Sequence, residues 1–162
     1  MRWLAPLAVV LLVLSGCSVS KDTKVGNELP DVTLRSLGGG KPVKLSELRG
    51  PLVINLWASW CGPCRKELPQ YQAFAQKYAG KVDVLGVDWQ ETRDGAALQL
   101  ARDTGVTYPL VADPEGKLRA KALPKLILVD EDGDVAHQEY AIITSVDMLA
   151  SLVQLYLKVP MS

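Results

Sequence analysis

Leu52-Val53-Ile54-Asn55-Leu56-Trp57-Ala58-Ser59-Trp60-Cys61-Gly62-Pro63-Cys64 is an apolar run that ends on two cysteines. From Leu52 to Ala58 only Asn55 is polar, the pattern of a central strand covered on both faces. A helix is expected from about Gly62 to Tyr78, ended by Gly80. The cysteine pair therefore sits where a buried strand gives way to a helix, the context that a redox CxxC requires.

Upstream, Asp31–Arg35 and Pro42–Leu45 read as short strands joined through Gly38-Gly39-Gly40-Lys41 as a hairpin. Ser46–Arg49 reads as one helical turn, stopped by Gly50-Pro51. Downstream, Val82–Val87 is a second buried strand. The pattern then gives a helix over Ala96–Thr104, a short strand over Tyr108–Val111, a helix over Glu115–Ala122 and a strand over Lys125–Val129. Asp132-Gly133 turns the chain into Val135–Tyr140. Ser145–Leu157 closes it as an amphipathic helix, with Val146, Leu149, Leu152, Val153 and Tyr156 on one stripe. Strands alternating with helices, then a hairpin, define an α/β domain with a mixed central sheet.

The 162 residues carry 18 basic and 18 acidic side chains, so no net charge draws the chain to nucleic acid. An apolar fraction of 48 % is too high for a disordered chain and is not that of a polytopic membrane protein. The length past residue 16 suits one domain, able to bury about two-thirds of its unfolded surface without disulfide staples.

The beginning of the chain reads differently. Trp3–Leu14 is an apolar run whose helix would reach only about 18 Å, short of the ~30 Å hydrocarbon core. It has the length of a secretory h-region, and Arg2 supplies the positive n-region. The run ends Leu14-Ser15-Gly16-Cys17, which resembles the bacterial lipobox, where a cut before the cysteine leaves an acylated N-terminus. The expected organisation is a lipoprotein signal peptide over 1–16, a tether over 17–29 and a folded domain over 30–160. Such a domain would stand at the extracytoplasmic face of a bacterial membrane, held by lipid on Cys17.

Cys61 and Cys64 then remain as a pair. At the helix cap, Cys61 sits among unsatisfied N–H groups and the positive end of the helix dipole, which favours its thiolate. Cys64, one turn inward, is placed to attack a mixed disulfide on Cys61 while shielded from outside partners. A zinc site needs four ligands, and the chain offers these two thiols and His137. Attachment of a c-type haem needs His after the second cysteine, where Arg65 stands. A structural disulfide across so short a loop gains little from loop closure. No metal and no cofactor are expected.

Trp57-Ala58-Ser59-Trp60-Cys61-Gly62-Pro63-Cys64 resembles the active-site segment of thioredoxin-fold proteins. With the lipobox, the N-terminal hairpin and Cys64-Arg65-Lys66-Glu67-Leu68-Pro69, the chain over about 28–158 resembles the membrane-tethered TlpA/ResA-like thiol–disulfide oxidoreductases of the thioredoxin superfamily. The resemblance implies a thioredoxin fold with an N-terminal β-hairpin and a cis-proline facing the cysteines, for which Leu123-Pro124 is the candidate. This chain departs from the family around that proline, with Ala122 and Lys125 where Gly and Thr are usual, and Trp89 stands where a small polar residue is expected. The resemblance also places a carboxylate beside the dithiol, at Glu67. Partly buried there, with a raised pKa, it would take the Cys64 proton.

Trp60, Gly62, Pro63, Leu123 and Pro124 would form the docking surface, the Leu123 backbone pairing with an extended client segment as an added strand. The resemblance implies a membrane thiol donor of electrons, and clients such as apocytochrome c or other exported cysteine proteins. Pro63 has no N–H to offer the Cys61 thiolate, which makes the reduced form less stabilised and the couple more reducing. Asn55, where thioredoxins carry a buried Asp, cannot titrate and reads as a structural hydrogen-bonder. Pro69 should kink its helix, and His137 reads as a satisfied or solvated side chain. Two rival functions fit less well. A thiol peroxidase of the peroxiredoxin branch needs Thr or Ser where Ala58 stands, and a copper carrier on this fold uses CxxxC with a distal His.

Overall fold

The computed structural model describes residues 28–93 and 95–161. The expected signal peptide, Cys17 and most of the expected tether lie outside the described residues. In chain order the elements are β1 (Thr33–Ser36), β2 (Val43–Lys44), a 3-10 turn (Leu45–Glu47), β3 (Leu52–Trp57), α1 (Gly62–Lys77), β4 (Asp83–Trp89), α2 (Ala96–Asp103), β5 (Leu110–Asp113), β6 (Lys125–Val129), β7 (Val135–Glu139) and α3 (Val146–Leu157).

The apolar run from Leu52 becomes β3, buried along its whole length. It lies inside one seven-stranded sheet of order β2-β1-β5-β4-β3-β6-β7. β3 pairs parallel with β4 and β4 with β5, while β6, β7, β1 and β2 join through antiparallel ladders. The sheet is mixed, as the sequence pattern predicts.

Two faces of β3 make two cores. Val53 joins Leu126 and Leu128 under Tyr71 and Phe74 of α1 and Leu149 and Val153 of α3. Ile54 and Leu56 face the other way, with Leu85, Val87, Ile127 and Val129, and are covered by Leu29, Leu45 and Leu118. The crossovers β3-α1-β4 and β4-α2-β5 step the same way along the sheet, and their right-handed sense puts α2 beside α1. Ala97 and Leu100 of α2 thus meet Trp57, Leu68 and the cysteine pair.

Three expectations need correction. Glu115–Ala122 forms turns and bends, not a helix. Its backbone groups are taken by other partners: the buried Asp113 carboxylate accepts from the N–H groups of Lys117 at 2.8 Å and Leu118 at 2.7 Å. Trp89 Nε1 donates to the Leu118 carbonyl at 2.7 Å, and the Lys121 N–H donates to the Tyr140 hydroxyl at 2.9 Å. A carboxylate that captures two successive N–H groups offers the chain an alternative to the helix ladder. Trp89 thereby acquires its account, as the side chain that pins this segment to the sheet. The fifth strand begins at Leu110, two residues late, because Pro109 precedes it with no N–H to donate. The helical turn falls on Leu45–Glu47, ahead of Ser46–Arg49.

Candidate active site

The parallel register of β3 and β4 sets Trp57 beside Asp88, so the segments that leave both strands emerge together at the carboxyl edge of the sheet. In open α/β sheets that edge is where ligands bind. Residues 58–61 leave β3 in a tight turn, with the Cys61 N–H donating to the Ala58 carbonyl at 3.1 Å.

Cys61 is the N-cap of α1, with extended backbone, and Pro63 stands in the first turn. The Cys64 N–H donates to Cys61 Sγ at 3.2 Å, and the two sulfurs are joined as a disulfide with the Cα atoms 5.3 Å apart. The first-turn N–H groups that cap residues usually satisfy include that of Pro63, which does not exist, so Cys64 supplies the one such bond to this sulfur. Both cysteines are shielded, Cys64 completely. Trp60 beside them is 50 % exposed, and its Nε1 donates to the Gln90 carbonyl at 3.3 Å.

Glu67 lies one turn along α1 from Cys64, fully buried. Its Oε2 accepts from the Ile143 N–H at 3.0 Å, while Oε1 has no hydrogen-bond partner. Burial pushes this carboxyl up to about 8, against the Ile143 N–H and the Asn55 amide, which favour the carboxylate. Asn55 is fully buried too, and neither of its amide atoms completes a hydrogen bond of ordinary geometry. Its amide faces Glu67 and Tyr108 and favours the charged form of each.

The Leu123–Pro124 peptide is cis, as the resemblance implies, and Leu123 packs against the cluster that holds Cys61 and Cys64. Pro69 sits inside α1, which runs unbroken from Gly62 to Lys77. His137 belongs to another part of the molecule, its ring stacked on Tyr156 at 3.7 Å and 4°.

Sequence reasoning missed a second set of residues at this edge. The Ser59 N–H donates to Glu91 Oε2 at 3.0 Å, and Arg93 Nη2 donates to Ser59 Oγ at 2.7 Å. Glu91 Oε1 also accepts from the N–H groups of Thr92 and Arg93, each at 3.0 Å. Burial works to raise the Glu91 carboxyl, but the hydrogen bonds from Ser59, Arg93 and Thr92 prevail and hold it below the ordinary value. With the Trp60–Gln90 bond, the 90–93 loop grips the two residues that precede Cys61. Behind it, burial and the nearby Glu91 push the Asp88 carboxyl up to about 7, with Arg35 opposing. The available signal was the oppositely charged pair Glu91 and Arg93 just after the strand that neighbours β3.

This grip has a measurable consequence. Glu91→Ala leaves the buried Ser59 N–H without an acceptor, and the expected loss is about 1–3 kcal/mol. Urea unfolding should show a lower midpoint at unchanged slope. An unchanged midpoint would mean that the loop carries no load.

Residues 25–138 match the family model described as AhpC/TSA family. Thiol-disulfide oxidoreductase ResA of Bacillus thuringiensis is 31 % identical over 146 residues, covering 80 % of this chain and 83 % of that protein. Among solved structures, a secreted thiol-disulfide isomerase of Corynebacterium glutamicum superposes with a TM-score of 0.63 at 28 % identity, over 78 % of this chain and 85 % of that one. The thio-disulfide isomerase of Thermus thermophilus gives 0.65 at 26 % identity, over 81 % and 95 %. A CxxC disulfide capping a helix at the carboxyl edge of a mixed sheet, together with these matches, shows that the chain belongs to the AhpC/TSA family and is a thioredoxin-fold thiol–disulfide oxidoreductase of the ResA type.

Proposed function

We propose that Cys61 is the attacking thiol and Cys64 the resolving thiol of an extracytoplasmic, lipid-anchored reductase of exported disulfide proteins. The observation that carries this reading is the asymmetry of the pair: Cys61 caps the helix beside half-exposed Trp60, and Cys64 is fully buried one turn above Glu67. The Cys61 thiolate attacks one sulfur of a client disulfide, forming a mixed disulfide and releasing the other client sulfur as thiolate. Cys64 gives up its proton to the Glu67 carboxylate and attacks Cys61 Sγ, which frees the second client sulfur and closes Cys61–Cys64. Two electrons have passed to the client, and a membrane thiol donor returns them.

Trp60, Gly62, Pro63, Leu123 and Pro124 form the docking surface in this reading, with the client laid along the Leu123 backbone. Apocytochrome c is a fitting client, since its haem-binding cysteines must be reduced before attachment. An extracytoplasmic setting is supported by the Leu14-Ser15-Gly16-Cys17 lipobox and by a solved relative described as secreted. Among the described residues no helix is long and apolar enough to cross a membrane.

The missing N–H of Pro63 predicts a reducing couple. Equilibration of the full-length chain in thiol–disulfide buffers should place its potential below about −200 mV. A value near the roughly −120 mV of a strong oxidant would reverse the proposed direction of electron flow. Cys17→Ser should abolish acylation and release the protein from the membrane fraction, with dithiol chemistry intact. Intact-mass analysis checks it, and an unmodified Cys17 in membrane-bound protein would contradict the anchor.

A further inference from the structure

Lys125, directly after Pro124, is a lysine whose residue as a whole is only 7 % exposed. Its Nζ donates to the Arg119 carbonyl at 3.0 Å and stands 5.7 Å from the centroid of the Tyr140 ring. Among the described residues no carboxylate comes within ion-pair distance of it. A largely covered lysine with a carbonyl and a ring face, but no counter-ion, lacks the partner that would offset whatever desolvation it has undergone.

Lys125 lines a groove of about 720 Å³, whose rim carries the exposed cations Lys117, Arg119 and Lys121. Lys117 is ion-paired with Glu115 at 3.3 Å, and Arg119, Lys121 and Lys125 still outnumber the groove's acids Glu28 and Glu139. Two of the groove's cations, Lys121 and Lys125, flank the proposed docking segment Leu123-Pro124 in the chain. Lys125 opposes Leu56, on the sheet face away from α1, and Leu123 two residues earlier packs against both the core of that face and the cysteine cluster. Half-exposed Tyr140 forms an aromatic wall beside the Lys125 ammonium.

From this arrangement, and resting on the reading of the previous subsection, we infer that the groove takes an acidic stretch of the client that flanks its disulfide, with Lys125 receiving a side-chain carboxylate. Lys125 is then a specificity-determining residue. An extended peptide laid along Leu123 reaches a recessed cation within two or three residues, whereas the flat surface of an anionic bilayer does not.

The test uses the full-length reduced chain and two disulfide-bonded peptides that differ only in Asp/Glu against Asn/Gln beside the cysteine. The acidic peptide should have a kcat/KM about tenfold higher at low salt, and the preference should shrink at high salt. Lys125→Gln should bring the ratio close to one. Should that buried site not tolerate the change, Arg119→Gln with Lys121→Gln on the exposed rim should lower the ratio in part. Equal rates for both peptides with the unaltered chain would overturn the inference, as would a preference that survives Lys125→Gln. So would an unchanged peptide ratio in Lys125→Gln accompanied by weaker retention on phosphatidylglycerol vesicles. If neither peptide nor a small aromatic disulfide is reduced, the dithiol reading itself fails. Charge-blind reduction overturns only the inference about the groove.

Discussion

Cys61→Ser is expected to abolish disulfide exchange, by more than about 10⁴-fold, with either a small disulfide or a peptide. A hydroxyl at this position has no accessible anion at neutral pH, and the helix terminus acts on a thiolate that no longer exists. Cys64→Ser should behave otherwise. Its first attack proceeds at close to the parent rate, because Sγ of residue 61 keeps the backbone N–H of residue 64 as donor. Turnover then stalls at the mixed disulfide for want of a resolving thiol. Stopped-flow absorbance with a chromogenic disulfide separates the burst from turnover, and a burst in Cys61→Ser would overturn the assignment.

Glu67→Gln is expected to slow release from the mixed disulfide by about 10²-fold while sparing the first attack. In the parent, release should quicken as pH rises towards about 8, where the buried Glu67 carboxyl ionises. The variant loses that limb of the profile. The same substitution should change stability with the opposite sign in pH. Glu67 is neutral in the folded chain between its ordinary 4.5 and about 8, yet ionised when unfolded, so unfolding releases a proton across that window. The stabilisation is complete below pH 4.5 and fades at up to about 1.4 kcal/mol for each pH unit until the folded group ionises. Denaturant melts from pH 4.5 to 9 should show a slope in the parent that is flatter in Glu67→Gln. Identical slopes and identical release profiles would leave Glu67 without a role in proton transfer.

Much of this was legible in the residues because the signals were local. An apolar strand, a CxxC and a proline in the next turn fix α1, Cys61 and Cys64 within fifteen residues of sequence, and the family resemblance marks Glu67 one turn on. The cis bond at Pro124 followed from the family resemblance. What escaped depended on contacts between distant segments. The Glu91–Ser59 grip requires the parallel register of β3 and β4, which no local pattern carries. The helix expected over Glu115–Ala122 had acceptable periodicity, but Asp113 claims two of its N–H groups, and Trp89 and Tyr140 one backbone group each. Lys125 shows the same limit. Its position after Pro124 marked a departure from the family, while its burial without a counter-ion emerged only with the fold.

The central claim is that Cys61 makes the covalent bond to the client and Cys64 resolves it. The most direct measurement reacts the reduced full-length chain bearing Cys64→Ser with a disulfide-bonded peptide, followed by intact-mass and fragment analysis. The account predicts one peptide per chain, attached to Cys61 and stable until a thiol is added. An adduct that instead forms on Cys64 in Cys61→Ser, with none on Cys61 in Cys64→Ser, would contradict it.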